Sequence, residues 1–448
     1  MTVAVNSART NGILSRGSCQ PIESVVGNMG NSADPGLPNL ALDFSQPLPS
    51  SITFTRADST SCATYFGADG LLKIAAANIP RIDYDPATGV CKGLLIEESR
   101  ANLLKSSRDL RSAGAGNPIT AWTNTDTTVT VNQTGFDGVA NSASLMTEGS
   151  AGNSETFQSQ AGFTAGSTIT NSAVLKRGNT DWVRFMVTDN SVTGGYHFWF
   201  NLATGATGSS TVIGTGTSPS LSTVNLGSGW YRIIASCIPT ASYTIGRLTI
   251  SSAASNGSFS RVANSTYIVD CAQLEVGAFA TSYIPTTTTS LTRAADSASM
   301  TGTNFSSWFN QSEGTFLVDG SIEAMSTAAY PAVICAGSNT DRFTVYAIGS
   351  SKTMTASVRV GGADTYNSGN MGNASSYKAA LAFTTDDAMA AINGVLGAAD
   401  SVPTGLPPVS SLGIGNLNGT VPAATQHIRR LAFWPKRLPN ATLKALTA

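Results

Sequence analysis

Between residues 110 and 284 the chain repeats one pattern: short runs of alternating apolar and polar residues, each closed by a Gly, Ser or Asn turn. TVTVNQ, SASLMTE, WVRFMVTD, YHFWFNLATG, YTIGRLTISS and STYIVDCAQLEVG are examples. Successive side chains of a strand point to opposite faces, so a renewed period of two predicts many short antiparallel strands packed as a sandwich or jelly roll. In WVRFMV, for instance, Val183, Phe185 and Val187 would make an apolar face, with Trp182, Arg184 and Met186 on the other.

The pattern returns after the Pro/Thr-rich connector SYIPTTTTSLTRAADSASM, in GTFLVDGSIEAM, RFTVYAIG, MTASVRVGG, YKAALAFTT and HIRRLAFW. Asn393–Gly394 between two apolar runs predicts a type I′ hairpin, and LPNATLKALT predicts a closing helix capped near Asn440. The expected architecture is therefore all-β: an irregular N-terminal arm (1–45), a small β-rich junction unit (46–109), a first antiparallel sandwich (110–292) and a second (293–448). Two segments echo each other, FTRADSTS at 54–61 and LTRAADSAS at 291–299, as a repeated structural joint would.

Charged residues make up 12% of the 448, against about 25% in ordinary soluble proteins, while 41% are hydrophobic. That supplies cores without a charged surface, and argues against disorder. The formal net charge of −1, with no basic block, excludes the clustered Lys and Arg that nucleic-acid binding needs. No apolar run approaches the roughly 20 residues of a membrane span, and the first 17 residues lack the apolar stretch of a signal peptide. Synthesis in a reducing cytoplasm is expected. The six cysteines show no zinc spacing, although Cys237 and Cys271 fall in strand-like runs that could share a sheet.

No catalytic, metal or cofactor constellation is expected. There are only two histidines, His197 and His427, and neither has partners at catalytic or metal-binding spacing. The segment GLLIEESRANLL (93–104) sets two adjacent glutamates and an arginine among leucines and an isoleucine, but adjacent glutamates on a strand point apart rather than making a glycosidase pair. Glu97, Glu98 and Arg100 are expected instead to lock a junction by charge-assisted hydrogen bonds, with the flanking leucines filling it. Calcium at Asp386–Asp387 lacks the supporting ladder of acidic residues. Sugar rings could stack on Trp182, Tyr196, Trp199, Trp230 and Tyr231, although aromatics in a sandwich more often belong to its core.

The stretches FTRA (54–57), ATYF (63–66), AANIPRIDYDP (76–86) and GLLIEESRANLL resemble a module of tailed-phage and prophage proteins of the head-spike, head-fiber or tail-fiber type. CAQLEVGAFATSYIPTTTTSLTRAAD (271–296) resembles the segment that closes a carbohydrate-module-like jelly roll in such proteins. The last part, with GTFLVDGSI and IRRLAFWPKRLPNATLKALT, is similar to concanavalin-like and laminin-G-like sandwiches. The resemblance implies a non-enzymatic virion structural protein, a head fiber, capsid decoration or tail-fiber component, displayed on the particle surface. Its implied partners are phage capsid or tail proteins, further copies of itself (a trimer being usual for fibers) and host-surface polysaccharide. A receptor-binding adhesin or a polysaccharide-degrading tailspike is the alternative. The resemblance transfers no catalytic residue.

Overall fold

Two stacked sandwiches, both antiparallel, account for most of the chain in a computed structural model that describes residues 35–112, 121–150, 152–335, 340–400, 405–417 and 424–448. The arm before residue 35 lies outside the described residues.

The first sandwich pairs two six-stranded sheets. One runs in the order Thr217–Gly227, Trp230–Ile238, Ile169–Arg177, Thr266–Val276, Ala143–Glu148 and Thr127–Gln133. The other runs Thr207–Gly214, Gly194–Asn201, Trp182–Asp189, Ile245–Ala253, Glu155–Ala161 and Thr123–Thr125. Val183, Phe185 and Val187 enter the core between them with Phe198, Phe200, Leu248 and Ile250, as the alternation requires. Cys237 and Cys271 lie in one sheet but are not neighbours, since Ile169–Arg177 separates their strands, and both thiols are free.

The second sandwich is assembled from distant parts of the chain. One of its sheets runs Val395–Leu396, Asp387–Ile392, Ser376–Thr384, Glu313–Met325, Ala424–Trp434, Cys91–Ile96 and Ile82–Tyr84. Leu40–Asp43 also pairs with Ala424–Trp434, placing Leu40 opposite Phe433. The facing sheet begins with Thr53–Thr55 beside Ser297–Thr301 and continues through Ser411–Ile414 and Ala328–Cys335 to Ala363–Asn367. Residues 40–43, expected to belong to an irregular arm, are thus a strand of this sandwich, and segments before residue 100 supply strands to both of its sheets. Leu40, Leu42, Phe44, Ile52, Leu94 and Ile96 are all part of its core. On the outer side of the first sheet, a helix (Asn440–Thr447) packs Leu443 and Leu446 against Trp434 and Leu317.

The Asn393–Gly394 turn has φ of 48° and 77°, the two positive values that type I′ demands. The helix start differs from expectation. Asn440 is already the first helical residue, Pro439 holds the capping position at φ −58°, and no side chain caps the helix. Pro439 sets the entry into the helix through its fixed φ.

At Gly93 the small unit's backbone lies against that of Ala424–Trp434 in the second sandwich. The Gly93 φ is +100°, and a Cβ there would lie 2.3 Å from the Ile428 carbonyl oxygen. Gly93→Ala is expected to cost about 1–3 kcal/mol, the usual cost of an enforced backbone outlier. Urea unfolding measures that loss. Hydrogen exchange should show it localised at Leu94 and Ile96, which pair with Ile428 and Gln426.

Candidate functional site

The segment 93–104 runs from one core to the other. Leu94 and Ile96 are buried in the second sandwich and Leu104 in the first. Between them the chain turns through Glu97 and Glu98, then pairs as Arg100–Asn102 with Leu291–Arg293. Asn102 ties the turn down, donating through Nδ2 to the Ala272 and Ile284 carbonyls.

Glu97 is fully buried at the centre of a charge network. Its Oε2 accepts from Arg81 Nη1 at 2.7 Å and from Ser282 Oγ at 2.6 Å, with Arg293 Nη1 3.0 Å away. Arg81 Nη2 donates to Asp296 Oδ2 at 2.6 Å, and Arg56 joins Asp296 at 3.3 Å and Asp58 at 2.5 Å. All six charged side chains, three cations and three carboxylates, are at 0% exposure, so the network is closed and neutral. Burial opposes ionisation of Glu97, but Arg293, Arg81 and the Ser282 hydrogen bonds outweigh it and hold the carboxyl well below the ordinary glutamate range. Glu98 shifts the other way: burial raises it, and Arg100 at 2.5 Å only partly offsets that.

The two echoing segments meet here. Thr53–Thr55 lies antiparallel to Ser297–Thr301, Arg56 of the first echo reaches Asp296 of the second, and the amide of Ala294 donates to Asp58. The echo is a pair of mating halves. It was the sequence signal that could have located Arg56, Asp58, Arg293 and Asp296; Arg81 had no comparable flag.

A cleft of about 450 Å³ opens beside the network, where the small unit, the first sandwich and the second sandwich converge. Tyr65, Phe66 and Phe279 line it together with Arg232, Glu323 and His427. His427 is 2% exposed; its Nε2 lies 2.8 Å from Asp83 Oδ2, and its Nδ1 faces Glu323 Oε1 at 3.4 Å. Lys92 Nζ is 2.9 Å from the same Glu323 oxygen. The neighbouring His427 and Lys92 hold Glu323 well below the ordinary range. The imidazole therefore fills the space between the two carboxylates, where a glycosidase keeps its sugar and water. Cys271, also on the lining, has its thiol pushed far up by burial and by Asp270 beside it, the opposite of an activated nucleophile.

The five aromatics expected to stack on sugars do not converge. Tyr196 and Tyr231 pack on the first sandwich's core, beside Phe198 and Phe200. Trp230, 6% exposed, lies on the outer face of one sheet beneath Phe136 and Leu72. Trp199 is wholly buried and donates through Nε1 to the Ser258 carbonyl. Neither Trp199 nor Trp230 has a ring face free for stacking, because each is covered by neighbouring segments. Trp182 is half-buried on the same outer face as Trp199.

Asp319 is engaged by Arg429, Glu275 by Thr281, and Asp387 by Arg437. Among the described residues no cluster of three metal-ligating side chains occurs.

No protein-family model matches the chain, and no curated protein matches it in sequence. Solved structures similar to part of it include the IT-sialidase CBM40 of Ruminococcus gnavus bound to α2,3-sialyllactose, at 17% identity over 32% of this chain and 87% of that one, with a TM-score of 0.28. The NanB sialidase of Streptococcus pneumoniae is 14% identical over 33% of this chain and 26% of that one, TM-score 0.27. The Trypanosoma rangeli sialidase is 13% identical over 34% and 25%, TM-score 0.26. Likenesses this slight say nothing of what this chain binds. The fold class rests on the sheets themselves: this is an all-β protein built of antiparallel sandwiches.

Proposed function

We propose that this chain is a non-enzymatic display protein of a tailed-phage-type particle, a head fiber, capsid decoration or tail-fiber component, whose jelly roll binds host glycans. The observation that carries this reading is the buried network of Glu97, Arg81, Arg293, Asp296, Arg56 and Asp58. With strands shared between the small unit and the second sandwich, it joins the two sandwiches into one stiff block. A protein that presents a binding face at a distance needs such a joint. The segment before residue 35 would attach to capsid or tail proteins, the block would project from the particle, and copies would associate, as a trimer in the fiber case.

Immunogold labelling of intact particles with antibody against residues 300–448 tests this. Label over the head makes the chain a capsid fiber or decoration, and label on the tail makes it a host-contacting component. Particles of the source phage that carry no label overturn the virion reading.

The tailspike alternative draws on the cleft, where Asp83 and Glu323 are the only carboxylate pair with a shared partner among the cleft-lining residues. His427 between them argues against it.

A further inference from the structure

The sheet that carries Trp182–Asp189 has one face in the core and one turned outward, and the outward face is unusual in its polar groups. Cross-strand register places Arg184 beside Trp199 and Ser251, Met186 beside His197 and Thr249, and Thr188 beside Arg247. Ser159 lies opposite Arg247 and Phe157 opposite Thr249, so both share that face. Five buried polar atoms here have no hydrogen-bond partner among the described residues: Arg184 Nε, His197 Nδ1, Ser159 Oγ, Thr188 Oγ1 and Ser251 Oγ. Buried polar atoms are ordinarily satisfied, and each orphan calls for an explanation. Five on one face of one sheet call for a common one.

The charges on this face point to the occupant. Arg184 is 6% exposed and, among the described residues, forms no ion pair; nor does Arg261, which donates only to the Ser154 and Phe259 carbonyls. Arg247 donates to Glu155 Oε1 at 2.9 Å, the one carboxylate so engaged, and its guanidinium stacks 3.5 Å over Phe157. Three arginines therefore face two nearby carboxylates, Glu155 and the buried Glu148, and the hydrogen bonds of Glu148 come from Ser252 and Tyr267 rather than from a guanidinium. Burial lowers His197 to about 4, with Arg184 and Arg261 adding to the shift, so near neutral pH its ring is uncharged and can hydrogen-bond without repelling the guanidiniums. Phe259, 51% exposed, bridges the site, with its ring 4.9 Å from His197, 5.2 Å from Trp199 and 5.6 Å from the Arg184 guanidinium.

We infer that this outer face, centred on Arg184 with Arg247, Arg261, His197 and Phe259, binds a carboxylate-bearing sugar. A guanidinium fork matches a planar carboxylate. The exposed ring of Phe259 offers an apolar surface to a pyranose. The inference rests on the glycan-binding part of the proposed function and names its ligand class.

The test uses the full chain against immobilised oligosaccharides bearing uronic or nonulosonic acids, their neutral counterparts, and inorganic phosphate as competitor. Binding to acidic glycans, weakened by salt and reduced about tenfold or more in Arg184→Met and in the half-buried variant Arg261→Gln, is the expected result. Because Arg184 is a buried cation without an ion partner, Arg184→Met should unfold at the same temperature as the parent or higher, which separates lost binding from lost folding. Binding confined to neutral glycans would keep the glycan reading and overturn this inference. Displacement by phosphate at equal concentration would make the site a general anion site and overturn the sugar assignment. No binding to any glycan would overturn both, while leaving particle labelling to decide the display role.

Discussion

Expressed alone, residues 293–448 will fail to form a cooperative fold, whereas the chain from residue 35 onward will unfold in a sharp transition. The reason is what the shorter piece leaves behind. Leu40, Leu42, Phe44, Ile52, Leu94 and Ile96 all sit in the second sandwich's core and all come from the first hundred residues. Burying a large apolar side chain contributes roughly 1.5–3 kcal/mol, so six of them amount to about 9–18 kcal/mol, as much as the whole stability of a typical domain. Their loss would also bare the edge of Ala424–Trp434, which pairs with both Leu40–Asp43 and Cys91–Ile96, and would free Trp434 Nε1 from the Gly36 carbonyl. Near-ultraviolet circular dichroism and urea titration of the two chains make the comparison. Coexpression with residues 35–109 should restore a cooperative transition. A sharp transition from residues 293–448 alone would show that the early strands are accessory.

That assembly from distant parts explains what the sequence could and could not disclose. The sandwich class was legible because alternation is a local signal, repeated over many strands, and WVRFMV shows it at single-residue level. The burial of Glu97 and Glu98 was legible for a related reason: leucines flanking a short charged stretch imply burial of the charges, and buried charges need partners. The partners were not legible. Leu40 finds Phe433, and Asp83 finds His427, through pairings that no local pattern encodes. Four residues of LALD cannot advertise a strand whose mate lies at the far end of the chain. The placement of the aromatics was hidden for the opposite reason. Their number was plain, but whether a ring on an outward face is open depends on which segment covers it, as Phe136 covers Trp230 and Phe259 covers Trp199. Arg184 was visible only as one polar residue in an alternating run, the ordinary mark of a solvated face. Its burial beside unpartnered hydroxyls appears only when the sheet is assembled.

Arg81→Met is expected to destabilise the protein by roughly 3–5 kcal/mol at neutral pH, the usual cost of removing one partner from a buried ion pair. Arg81 bridges Glu97 and Asp296, and its loss leaves three buried carboxylates with two cations, Arg293 and Arg56. The methionine fills most of the volume, so the deficit is electrostatic, and pH reports it. Glu97 titrates well below its ordinary value of 4.5 in the folded protein. Its contribution is therefore complete above about 4.5 and is lost as pH falls towards the folded value, because in that window the unfolded chain binds the extra proton. Without Arg81 the folded value moves back up towards 4.5, and less stability remains to be lost on acidification. Urea midpoints of parent and variant should thus lie far apart at pH 7 and converge as pH is lowered below 4.5. A gap of the same size at pH 7 and pH 3 would assign the loss to packing, and no gap at pH 7 would mean that the remaining two arginines hold the joint without the third.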